Sequence, residues 1–144
     1  LLDQLDYPDT GKFMETRLAQ LLSDSAEILL VWEDDSPASP ASPTPGTGSA
    51  LAEARAPILG FLSLHFVPQI ALPGDFARIS YFSIDETARG KGLGAQLEEH
   101  ATQLAREKGC ELIEVHCHIR REKAHAFYFR QGYEESPKYL VKRL

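Results

Sequence analysis

The chain of 144 residues carries 15 Lys and Arg against 21 Asp and Glu, a formal net charge of −6, with 43% hydrophobic and 25% charged residues. This balance fits one globular domain with one core; it is too short for a two-domain dehydrogenase or a protein-kinase catalytic domain. No apolar run approaches the roughly 20 residues of a membrane span, the acidic balance argues against broad nucleic-acid binding, and Cys110 and Cys117 make no disulfide scaffold, which reads as a reducing, cytoplasmic setting.

Phe13, Met14, Leu18, Leu21 and Leu22 recur at helical spacing and predict a helix from about Gly11 to Ser23, with Asp9 or Thr10 as its N-cap. The chain opens Leu1-Leu2 without Met, so that helix lies near a start expected further upstream, and a targeting segment there stays open. Glu27 to Glu33 (EILLVWE) suits a buried strand. In Asp35 to Pro57, 19 of 23 residues are Pro, Gly, Ser, Thr or Ala. Such a segment buries too little apolar surface to offset its ordering entropy, and 35–57 is expected to be a flexible insertion within a single domain spanning 1–144.

Ile58 to Val67 alternates, with Leu62, Leu64 and Phe66 on one face and Phe61, Ser63, His65 and Val67 on the other. After a turn with two prolines, Phe76 to Ile84 predicts the second arm of an antiparallel hairpin. Leu93 to Lys108 is a helix with Leu97, Ala101, Leu104, Ala105 and Lys108 inward and Gly109 just past its end. Glu111 to His118 predicts a strand, Ala124 to Arg130 a short helix and Tyr139 to Leu144 a last strand. Strand, strand, helix, strand, helix, strand is an α+β order with a mixed sheet.

Charge divides along the chain. Residues 1–105 hold 6 basic and 15 acidic side chains, whereas residues 106–144 hold 9 basic and 6 acidic ones. A solvated mixed surface accounts for this, as does an anionic ligand near the C-terminal third.

The densest chemical signal is Arg89-Gly90-Lys91-Gly92-Leu93-Gly94-Ala95, between a strand and a helix. Alternating glycines allow close backbone approach, and the following helix offers unpaired N–H groups and the positive end of its dipole. Together these form a phosphate or pyrophosphate cradle; a plain turn would need fewer glycines. A P-loop requires Ser or Thr after the Gly-Lys pair, where this chain has Gly92. Gly90-x-Gly92-x-x-Ala95 does satisfy a dinucleotide fingerprint, with Glu111 or Glu114 about 20 residues on, but the chain has room for one such unit and its strand follows a hairpin.

Arg89-x-x-Gly92-x-Gly94 after FARISYFSI resembles the acetyl-CoA-binding motif of the GNAT superfamily of N-acetyltransferases. Ala124-x-x-Phe127-Tyr128-x-x-x-Gly132-Tyr133 is similar to that superfamily's later helix motif. The resemblance covers about Ile58 to Leu144 closely, and Arg120 to Tyr133 looks most like small-molecule members of the aminoalkylphosphonate type. It implies an α+β, three-layer fold whose mixed, mostly antiparallel central sheet is flanked by helices. It also implies direct acetyl transfer, in a ternary complex, from acetyl-CoA to a primary amine, expected to be a small molecule. On this resemblance the amides from Arg89 through Gly90, Lys91, Gly92, Leu93 and Gly94 to Ala95 hold the CoA pyrophosphate. Phe82, Ser83 and Ile84 pair with pantetheine, and a β-bulge there turns an N–H toward the thioester oxygen. Tyr128 is the general acid for the leaving thiolate. Read without the motif, Tyr128 is a half-buried packing residue in the aromatic triple Phe127-Tyr128-Phe129.

The chain departs from the family where many members carry a Glu before the Gly loop; Tyr81 stands there instead. The base is open among Glu114, His116, His118, His65 and bulk water. Tyr81, His116 and His118 are candidates for the substrate pocket. His116 and His118, with Glu114, share a strand face on this reading; a metal pair is one use of that spacing, but pocket lining or ordinary hydrogen bonding is expected and no metal is assigned. His100 and His125 are read as surface residues and Cys110 as a buried apolar one. The missing strand Glu keeps a non-catalytic acyl-CoA sensor as the alternative function. A homodimer through the last strand is possible in principle but nothing requires it.

Overall fold

The computed structural model describes residues 1–34, 56–136 and 140–142. Four strands form one sheet in the order β1-β2-β3-β4: β1 (Glu27–Glu33), β2 (Ile58–Val67), β3 (Phe76–Ile84) and β4 (Leu112–Val115). The first three run antiparallel and β4 lies parallel to β3. A parallel pair needs a crossover, here supplied by α2 (Leu93–Glu107). The other helices are α1 (Met14–Ser23), beside β1, and α3 (Glu122–Arg130), after β4. The result is the mixed α+β arrangement that the strand and helix order implies.

The expected alternation of β2 builds the core. Leu62 and Leu64 are fully buried, and Phe66, Ala77 and Ile79 join them beneath Leu97, Ala101 and Ala105 of α2. Truncating either leucine to Ala costs about 2–5 kcal/mol at such a site. Lys108 does not share that inner side: it caps α2 and places its ammonium 5.6 Å from the centre of the Phe66 ring. Gly109 takes the left-handed φ of 74° expected just past a helix end.

Several boundaries differ from the sequence reading. Helix α1 starts at Met14, and Thr10–Lys12 form a separate 3₁₀ turn headed by Asp9 at φ 62°, so neither Asp9 nor Thr10 caps the helix. Strand β4 stops at Val115. His116 and His118 therefore lie in the following turn and do not share a strand face. His118 is occupied there: its Nδ1 accepts the Arg120 N–H at 3.2 Å and its carbonyl accepts the Arg121 N–H at 2.9 Å. Helix α3 begins two residues earlier than the spacing suggests. Of the expected final strand, residues 140–142 are in no strand, and Tyr139, Arg143 and Leu144 lie outside the described residues, as does 35–55 of the expected insertion. Among the described residues no helix is long and apolar enough to cross a membrane.

Candidate active site

Strands β3 and β4 are paired only from Phe76↔Leu112 to Ile79↔Val115. Strand β3 continues for five residues while β4 turns away, so the sheet opens at this point. A cavity of about 820 Å³ occupies the opening. Its position depends on an irregularity in β3. Leu64 pairs with Ile79 but Ser63 pairs with Tyr81, which leaves Ser80 as an extra residue. One extra residue reverses the faces beyond it. Phe82 and Ile84 thereby join Ile79 on the core side, while Tyr81 goes to the side opposite α2.

The Gly-rich loop forms the rim on the α2 side. Gly90 and Gly92 take φ of 79° and 83°, a region that costs other residues about 1–2 kcal/mol. The third glycine differs. Gly94 lies inside α2 without a left-handed φ, and a β-carbon there would meet the Phe127 ring at 3.4 Å and Ile84 at 3.6 Å, ordinary van der Waals distances. No side chain caps α2; Gly92 stands at its N-cap, and the N–H groups of the first turn point out of the helix end. The Arg89 guanidinium folds back, donating to the Ile84 carbonyl at 2.9 Å and to Gln4 Oε1 at 2.8 Å.

Behind this rim stands Tyr128, 9% exposed. Its ring meets those of Phe127 and Tyr133 edge-on, both at 5.2 Å, and Phe127 meets Phe82 at 5.7 Å. Burial pushes the Tyr128 phenol well above its ordinary range; Cys117 and Glu98 add to the rise and Arg121 opposes it. Glu98 is a charged residue in the core, 4% exposed. It accepts from the Tyr133 hydroxyl at 3.0 Å and from the Thr102 hydroxyl at 2.8 Å, which offsets the cost of burying a carboxylate. Burial and Glu98 together raise the Tyr133 phenol strongly.

The opposite wall comes from distant parts of the chain. Gln4, Leu5 and Tyr7 line the cavity from the N-terminal segment. Gln4 donates to Asp85 Oδ2 at 3.1 Å, and Thr87 supplies Asp85 with two further hydrogen bonds, which hold that carboxyl below its usual range. The Tyr7 and Tyr81 rings meet edge-on at 5.5 Å. Across the same sheet face runs a row of charges in register: Glu27 opposite His65, His65 opposite Arg78, Arg78 opposite Glu114. Glu27 Oε1 lies 2.6 Å from His65 Nδ1, and Arg78 Nε donates to Glu114 Oε1 at 2.6 Å. That Glu114 oxygen is 3.6 Å from His116 Nε2, and His116 lines the cavity.

The acetyltransferase (GNAT) family matches residues 5–133. The chain belongs to this family. It is 33% identical over 92 residues to an aminoalkylphosphonate N-acetyltransferase of Salmonella typhimurium. The match covers 64% of this chain and 60% of that protein, so the chain spans less than two thirds of the curated relative's length. Solved structures with the same fold include a transcriptional regulator from Bacillus halodurans C-125, at TM-score 0.71 and 24% identity over 95% of this chain and 78% of that one. Another is an aminoglycoside acetyltransferase from an uncultured soil metagenomic sample, at TM-score 0.67 and 22% identity over 96% and 76% of the two chains.

Within this GNAT fold, the residues singled out in the sequence mostly converge. Tyr81, Phe82, Ser83 and Ile84 line the opening, as do Arg89, Gly90, Gly92, Leu93, Gly94 and Ala95 of the loop, with His116 and Tyr128. Lys91 and His118 are exposed and outside that lining. His65 is engaged with Glu27 and also lies outside it. The bulge sits at Ser80, just before the stretch where it was expected. His100 is exposed while His125 is half-buried, and Cys110 packs against the core. Sequence reasoning missed Gln4 and Tyr7, whose partners lie more than 70 residues away. It also missed Glu98, although a Glu between the inward Leu97 and Ala101 was a visible oddity. Among the described residues no group of three or more His, Cys, Asp or Glu could hold a metal ion.

Proposed function

We propose that this protein is an N-acetyltransferase that uses acetyl-CoA to acetylate a primary amine on a small molecule, in a ternary complex. The observation that carries the reading is the opening between β3 and β4, with bare helix-terminal amides at one rim and a proton-bearing phenol behind it. The fit to acetyl-CoA rests on the loop itself. Gly90 and Gly92 leave the backbone unobstructed, and the α2 N-terminus favours a pyrophosphate. Acetyl-CoA supplies an activated acyl thioester.

The residues then divide the work. The amides from Arg89 to Ala95 hold the pyrophosphate. The main chain of Phe82, Ser83 and Ile84 binds the pantetheine arm, and the bulged segment offers an N–H to the carbonyl oxygen where charge develops. Tyr128, kept protonated by burial, gives its proton to the departing sulfur. Holding both reactants in the opening replaces a bimolecular encounter with an oriented one. For the acceptor, we favour an amine that also carries an anionic group. The relative from Salmonella typhimurium is named for aminoalkylphosphonates, and Arg120 and Arg121 contribute cations to the cavity wall.

Calorimetric titration with acetyl-CoA, with NAD as control, tests the loop; thiol release with paired amines, 2-aminoethylphosphonate against propylamine, tests transfer. The expected result is saturable 1:1 binding of acetyl-CoA alone and faster CoA release with the phosphonate. Binding without release from any amine would identify an acyl-CoA sensor, and binding of NAD in place of acetyl-CoA would overturn both readings.

A further inference from the structure

Removing protons from the acceptor nitrogen requires a group that the Gly loop and Tyr128 do not provide. We propose that His116 is the general base, with Glu114 and, behind it, Arg78 as positioning residues. This assignment rests on the acetyltransferase reading above.

The chemistry of the lining selects the residue. Guanidinium and ammonium groups donate only, so the cavity's Arg and Lys side chains take no proton. The phenol of Tyr128 and the thiol of Cys117 are both pushed upward, chiefly by burial, and remain protonated. Besides hydroxyl and amide groups, the described lining residues offer two side chains that act as bases near neutral pH, the His116 imidazole and the Glu122 carboxylate. Glu122 sits in the first turn of α3, the helix that carries Tyr128. His116 follows β4 directly, lines the cavity and lies beside Glu114. A base on this segment and an acid on α3 are separate groups, as two proton transfers of opposite sense require.

Support for the imidazole runs in one line. Arg78 Nε donates to Glu114 Oε1 at 2.6 Å, which fixes the carboxylate, and that oxygen lies 3.6 Å from His116 Nε2. The fixed carboxylate thus places a negative charge beside the ring. Other ionisable groups at this end of the sheet are Tyr81 on β3, Tyr7 from the N-terminal segment, Cys117, and Arg121 ahead of α3.

The step balances as follows. His116 takes one proton from the ammonium group of the acceptor. The freed nitrogen forms a bond to the acyl carbon as the carbon–sulfur bond breaks. The sulfur takes the Tyr128 proton, and the second proton lost by nitrogen restores the phenol. The products are the amide, CoA thiol and one proton on His116, released to water.

The test is CoA release from acetyl-CoA and 2-aminoethylphosphonate over roughly pH 5.5 to 9. Wild type, His116→Gln, Glu114→Gln and Glu122→Gln are compared, with acetyl-CoA affinity measured for each. The expected result for His116→Gln is a fall in kcat/KM of about 100-fold, loss of the limb in the neutral region, and acetyl-CoA affinity within about twofold. The ammonium group of the substrate titrates near about pH 10 and leaves its own slope in every variant. Glu114→Gln lowers kcat and leaves acetyl-CoA affinity within about twofold, a split that a merely structural Glu114 would not produce. Glu122→Gln keeps the wild-type limb. Turnover with the limb intact in His116→Gln, or its loss in Glu122→Gln, overturns the His116 assignment and leaves the acetyltransferase reading standing. No CoA release from the wild type with any amine overturns both.

Discussion

The two walls of the opening are made in different ways. The wall toward α2 uses two contiguous stretches, Ile84 to Ala95 and Arg120 to Gln131. Its backbone is special: left-handed φ at Gly90 and Gly92, and an uncapped helix start. The wall on the other face gathers Gln4, Tyr7, Tyr81 and His116 from three separated segments, and the contacts of Gln4 and Tyr7 join residues more than 70 positions apart. Its backbone bends too, at Asp6 with φ 68° between Gln4 and Tyr7 and at the Ser80 bulge before Tyr81, but neither place carries a glycine. Under the proposed function the first wall holds a cosubstrate of fixed shape and the second receives the acceptor's amine, with Arg120 and Arg121 at the edge of the first wall reserved for the acceptor's anionic group. A site that binds through main-chain geometry leaves glycines in the sequence. A site that binds through assembled side chains leaves only common residue types.

The comparison breaks most readily at Tyr128. Tyr128→Phe removes a buried hydroxyl and keeps the ring contacts with Phe127 and Tyr133. The expected outcome is a fall in kcat of about 100-fold, with acetyl-CoA affinity within about twofold. Steady-state kinetics with calorimetry of acetyl-CoA measures both. An unchanged kcat would remove Tyr128 from the chemistry and reduce this wall to a binding surface.

A smaller effect lies behind Tyr128. Tyr133→Phe removes one of the two donors to buried Glu98 and should cost about 1–2 kcal/mol of stability near neutrality. The pH dependence has a definite sign. The Tyr133 phenol is raised by burial and by Glu98, while the unfolded chain titrates near the ordinary value of 10.0. Above that value the unfolded state has lost its proton and the folded state still holds it, so stability falls as pH rises. Its contribution is complete below pH 10 and fades above it. Urea unfolding at about pH 8 and pH 11 should therefore show the variant and the wild type converging at the higher pH. A gap that stays constant would mean that this phenol titrates alike in the folded and unfolded chain.

What was legible followed local rules. The spans of β1, β2 and β3 and the body of α2 were written in alternation and 3.6-residue spacing, and Gly90, Gly92 and Tyr128 in short motifs. The end of β4 was not legible. Glu111 to His118 reads as an unbroken strand, yet pairing with β3 stops at Val115 because the bulge at Ser80 redirects the strand beside it. That bulge also sends Tyr81 to the face where Tyr7 lies, and no pattern in FARISYFSI marks Ser80 as the extra residue. Helix α1 failed at its start for a related reason. Asp9 is a good cap by type, but its backbone adopts φ 62° and heads a 3₁₀ turn instead. Periodicity records which face a residue takes while pairing is regular. It does not record where pairing slips.

The second wall is best tested at Tyr7, 48% exposed and held to the site by its edge-on contact with Tyr81. Such ring pairs contribute about 0.5–1.5 kcal/mol beyond the area they bury. Tyr7→Ala should therefore raise KM for 2-aminoethylphosphonate by roughly two- to twelvefold through loss of acceptor binding. Acetyl-CoA affinity and kcat at saturating amine should stay near wild type, because the loop and Tyr128 belong to the other wall. Initial rates with each substrate varied in turn separate these effects. Weakened acetyl-CoA binding would show that the N-terminal segment, through Gln4 and its contacts with Arg89 and Asp85, supports the loop as well. The two walls would then act as one unit, and the division between cosubstrate and acceptor would have to be drawn along the cavity instead of across it.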